Sequence, residues 1–70
     1  MAEVESLAVA LPKEQERVRD VLKEYEAIGQ PGMIGAMLIR ESLKKAEVAT
    51  SAGDVVAMLR AYEDLKKIED

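Results

Sequence analysis

Few side chains in this chain of 70 residues could carry chemistry, so the first question is what each would have to do. General acid–base work needs carboxylates whose surroundings drive their pKa values apart. The two that the apolar pattern brings nearest to a buried face are Glu14 and Glu41, and both read more simply as solvated surface groups. Ser6, Ser42 and Ser51 are the remaining nucleophile candidates, but a serine needs a base to take its proton, and the chain has no histidine. A Ser/Lys pair is conceivable in principle. Ser51, however, reads as a helix cap and Ser42 as a small packing residue.

With cysteine also absent, there is no thiol, imidazole base, disulfide, zinc site or haem ligand to propose. The Gly32/Gly35 pair lacks the third glycine and the preceding strand of a dinucleotide-binding turn, and no P-loop or EF-hand spacing occurs. The expectation is a non-enzymatic protein with no catalytic residue, cofactor or metal.

Arg40, Lys44 and Lys45 form a small basic cluster that could meet a phosphate backbone or an acidic partner, but Glu41 and Glu47 interrupt it. Ten Lys plus Arg against fourteen Asp plus Glu leave a net charge of −4, which repels polyphosphate. A nucleic-acid-associated module, of the compact kind found in mobile elements, is therefore the alternative function rather than the leading one. Membrane insertion is not expected: the longest wholly apolar run, Met33 to Ile39, is far short of the roughly 20 residues a span needs. Glu3 and Glu5 stand before Leu7 to Leu11 where a secretory signal would carry positive charge, so the expected compartment is the cytoplasm.

The elements that must position these residues are helices. Ala, Leu, Glu, Lys, Arg and Met dominate, and only Pro12, Pro31 and four glycines punctuate the chain. A first helix is predicted over about 12–28, with Val18, Val21, Leu22, Tyr25 and Ile28 on a stripe about 120° wide. Opposite charges at i, i+3, such as Asp20 with Lys23, lie on its other face. Residues 1–11 form a tail or short helix. Val4, Leu7 and Leu11 share the heptad phase of Val18 and Tyr25, so the helix could extend backwards through Pro12. A break is favoured, because the residue before proline avoids helical angles.

Gly29-Gln30-Pro31-Gly32 ends the first helix, and a second is predicted over about 33–50. Its principal face is Gly35, Leu38, Ile39, Ser42, Leu43, Ala46 and Ala49, and this weighting towards small residues implies close packing. Ser51-Ala52-Gly53-Asp54 then matches a capping signal, with Ser51 as N-cap and Asp54 as the alternative cap. The third helix, over about 52–68, carries Val55, Met58, Leu59, Tyr62, Leu65 and Ile68 on one face.

From Ala49 to Leu65, the run Gly53-Asp54-Val55, Met58-Leu59, Tyr62 and Leu65 resembles the second half of a tetratricopeptide-type helical hairpin. The resemblance covers about a quarter of the chain. Met58 stands where that repeat usually has alanine, and the upstream helix lacks the repeat's aromatic positions. What it implies is limited to packing: the second and third helices form an antiparallel pair.

The fold expected is a single all-α domain, a three-helix antiparallel bundle with the first helix laid across the other two, completed by homo-oligomerisation. A core this small seldom supplies more than about 3–5 kcal/mol without disulfides, metal or oligomerisation. Met33, Ile34, Met37 and Val48 lie off the main face of the second helix. Either the N-terminal segment covers them within one chain through Val4 and Leu7, or a second chain does. The second reading is favoured, and together with Val4 and Leu7 they are the candidate interface, for a second copy of the chain or another protein. Methionines adapt well to such surfaces.

Overall fold

The structure is a computed structural model that describes residues 6–69, so Val4 of the candidate interface lies outside the described residues. Three helices succeed one another: α1, Leu7–Ile28, α2, Met33–Ala52, and α3, Val55–Lys66. A single 3-10 turn, Gln30–Gly32, joins α1 to α2. Each helix packs against both others, and α1 and α3 run the same way beside an antiparallel α2. The tail-and-break expectation for residues 1–11 is corrected, because α1 starts at Leu7 and passes through Pro12. Proline inside a helix costs about 3 kcal/mol, whereas fully burying one leucine contributes about 1.5–3 kcal/mol. Leu11 is 1% exposed and Leu7 packs against the core, so the extra turn is stabilised by what it buries. Ala8, whose carbonyl loses its partner at Pro12, is exposed, and water can satisfy it.

The α2–α3 boundary also differs from the favoured reading. α2 continues to Ala52 with Ser51 inside it, and Gly53 ends it in the left-handed conformation at φ +66 and ψ +25. Glycine adopts those angles without the Cβ clash other residues meet. Asp54 is the N-cap of α3, its carboxylate accepting from the Ala57 N–H at 3.1 Å. α3 ends at Lys66, two residues before the predicted limit.

Leu11, Val18 and Val21 of α1, Ile39, Leu43 and Ala46 of α2, and Ala61 and Leu65 of α3 form the core. Leu7, Leu22, Tyr25, Met58, Tyr62 and Ile68 pack against it half-buried. The alanines let the helices approach closely, and Gly35 does so for a side chain: a Cβ there would stand 2.5 Å from the Tyr25 ring. Four residues expected in the core are exposed instead, namely Ile28, Leu38, Val55 and Leu59. The cause is shape. The Cα trace measures 41 × 30 × 14 Å, with a radius of gyration of 12.8 Å against about 11 Å for a compact chain of this length. Its thinnest dimension matches one interhelical spacing of about 8–10 Å plus the width of one helical backbone, hence two layers of helix. In two layers each helix has an open side, and an apolar residue there has nothing to pack on.

Candidate interaction surface on α2

Among the described residues, the outward side of α2 carries five of the ten large apolar side chains that are exposed, the others being Val9 and Ile28 of α1 and Val55, Val56 and Leu59 of α3. Met33, Ile34, Met37 and Leu38 occupy its first two turns and are more than half exposed, Ile34 the most at 75%. Ile28, at the end of α1, lies just before the turn that leads into them, and Val48 continues the same side two to three turns further on. Glu41, Lys44 and Lys45 stand between the two apolar stretches, all exposed. Of the residues expected at an interface, Met33, Ile34, Met37 and Val48 thus share one open face. Leu7 does not join them, because it packs against the core from α1. Leu38, assigned from periodicity to the core, stands on this face at 65% exposure.

Several open clefts border α2. One, of about 550 Å³, opens between α2 and α3 over Ala49, Ala57 and Ala61, with Lys45, Arg60 and Asp64 among its walls. Another, of about 420 Å³, lies between the end of α1 and the start of α2, lined by Tyr25, Met33, Ala36, Met37 and Arg40. A third, of about 360 Å³, lies beside Tyr25, Gly35, Leu38 and Ile68. Among the described residues no three acidic side chains gather as a metal site. Glu41 lines the first cleft beside Lys44 and Lys45. Glu14 is half-buried and held by Arg17, whose Nε and Nη2 reach the carboxylate at 3.2 and 2.9 Å.

Arg17 is the polar residue that periodicity misses. Its Nη2 also donates to the Leu65 carbonyl at 2.9 Å, joining α1 to the last turn of α3. The signal for it is an arginine beside the apolar stripe of α1, which reads equally as a solvated charge. Gln15, buried on α1, was likewise not legible. The basic cluster is smaller in space than in sequence, because Arg40 is paired with Glu26 of α1 at 2.5 Å. Lys44 and Lys45 remain at the surface among Glu41 and Glu47. No helix among the described residues is long and apolar enough to cross a membrane. Comparison with family models, with curated proteins and with solved structures finds no match to this chain.

Proposed function

We propose that the protein acts by self-association, as a non-enzymatic interaction or assembly polypeptide whose working surface is the outward face of α2. The observation that carries this reading is the run Met33, Ile34, Met37 and Leu38, four large apolar side chains on adjacent turns, open to solvent on a chain of net charge −4. Scattered exposed apolar residues are ordinary, but a contiguous set on one helix face marks a contact surface. Each contributes about 1.5–3 kcal/mol when fully buried, comparable to the whole net stability that a core of this size supplies. A second copy is the partner that brings signs to match: the same face carries Glu41 beside Lys44 and Lys45, so two copies related by a two-fold axis can set acid against base.

The nucleic-acid alternative draws less support. Arg40 is engaged by Glu26, and the two remaining lysines are flanked by Glu41 and Glu47.

Light scattering after size exclusion, over a range of concentrations, tests the reading. The native chain should give a mass that rises towards a dimer, and Met37→Glu should give a monomer that keeps its helical circular dichroism. A native monomer at every concentration, or an undiminished dimer in the variant, would refute it.

A further inference from the structure

The face assigned to self-association carries a finer pattern, and the register inferred from that pattern rests on the assignment. Ile34, Leu38, Glu41, Lys45, Val48 and Ala52 are all exposed, and their spacing alternates between four and three residues from one end of α2 to the other. That is the heptad spacing along which two helices interlock. At about 100° per residue the six fall within about 40° of one direction on the helix.

The stripe is complementary to its own reverse. Laid antiparallel against a copy about a two-fold axis level with Leu43, Glu41 meets the partner's Lys45, Leu38 the partner's Val48, and Ile34 the partner's Ala52. Every layer then sets acid on base or apolar on apolar, and the pairing uses the full length of α2. A parallel in-register pairing instead opposes Glu41 to its own copy and Lys45 to its own copy, which is repulsive. Sliding the antiparallel pair by one heptad in either direction leaves both charges against apolar residues, desolvated and unpaired. We infer that a second copy of this chain docks antiparallel along α2, with two Glu41–Lys45 pairs at the centre fixing orientation and register. Polar pairs in an otherwise apolar seam are well suited to that task.

The chain has no cysteine, so single-cysteine variants report the register directly. Within one helix positions 38 and 48 are about 15 Å apart, and a disulfide needs Cα atoms within about 7 Å. Leu38→Cys and Val48→Cys, oxidised separately with diamide, should therefore give little covalent dimer, and an equimolar mixture should give the mixed dimer. Glu41→Lys and Lys45→Glu should each weaken dimerisation about tenfold or more, and mixing the two should restore it. Loss of the i, i+4 pair inside one helix is not repaired by mixing, so restoration separates the contact between chains from the one within a chain. A native chain that scatters as a monomer removes the self-association reading and this inference together. A native dimer whose cysteine mixture cross-links no better than either variant alone, or whose charge variants do not rescue one another, overturns the antiparallel register and leaves self-association standing.

Discussion

Arg17 on α1 donates from Nη2 to the backbone carbonyl of Leu65 at 2.9 Å, while the Glu14 carboxylate one turn earlier holds the same guanidinium. Leu65 lies in the last turn of α3, where carbonyls have no onward helical donor, and its oxygen also accepts from the Ile68 N–H at 3.1 Å. A cation from one helix thus caps the C-terminal end of another, where its charge also complements the helix dipole.

Breaking that clasp should have a measurable cost. Arg17→Ala should lower unfolding stability by about 1 kcal/mol, a figure kept modest because the Arg17 side chain is one-third exposed and screened by water. Arg17→Lys should recover less than half of the loss, since an ammonium cannot reproduce the two-sided fork. Urea denaturation of the three proteins measures both. Equal stability of Arg17→Ala and the native chain would show that the clasp contributes nothing.

Asp54 and Ser51 give a paired comparison. Asp54→Ala removes the bond to the Ala57 N–H and should cost about 1 kcal/mol, whereas Ser51→Ala, inside α2 and exposed, should be neutral or slightly stabilising. Thermal melts followed by circular dichroism decide between them. A larger loss at Ser51 would restore the capping assignment that the sequence favoured.

Gly35 faces the Tyr25 ring so closely that any Cβ must displace it. Gly35→Ala should therefore reduce the near-ultraviolet tyrosine dichroism and lower stability by about 1 kcal/mol, despite alanine's better helix propensity. In a Tyr25→Ala background the same substitution should stabilise, because propensity then acts unopposed. The same sign in both backgrounds would contradict the contact.

Leu65 and Leu38 separate core from surface. Leu65 is 0% exposed, and Leu65→Ala should cost about 2–5 kcal/mol. Leu38→Ala should leave the stability of the monomer nearly unchanged and weaken only the concentration-dependent part of the melt. Denaturation at two protein concentrations distinguishes these effects, and equal losses at both residues would contradict the burial pattern.

The element types were legible in the sequence because helical periodicity and glycine punctuation act locally. Val18, Val21, Leu22 and Tyr25 lie on the inward stripe as their spacing implies, and so do Ile39, Leu43 and Ala46. Periodicity says which residues can share a face, not whether a neighbour covers it. Ile28 closes α1 with its side chain turned largely to solvent, and Leu38 stands on the open side of a two-layer molecule, so both are exposed despite fitting the pattern. Val55 and Leu59 sit in the first turns of α3 and are likewise uncovered. The reading at Pro12 failed for a related reason, because local preference was weighed without the burial of Leu11. On the candidate surface, Met33, Ile34, Met37 and Val48 were recognisable as apolar residues off the main face of their helix, whereas the Arg17 clasp depends on a contact across 48 residues that no local pattern encodes.

The central claim is that two copies meet along α2, and sedimentation equilibrium of the native chain beside Met37→Glu tests it most directly. The native protein should approach twice its chain mass of 7.7 kDa as concentration rises, and the variant should stay at the chain mass while remaining helical. A native chain that holds 7.7 kDa at every concentration, or a variant that dimerises as well as the native chain, would contradict the account.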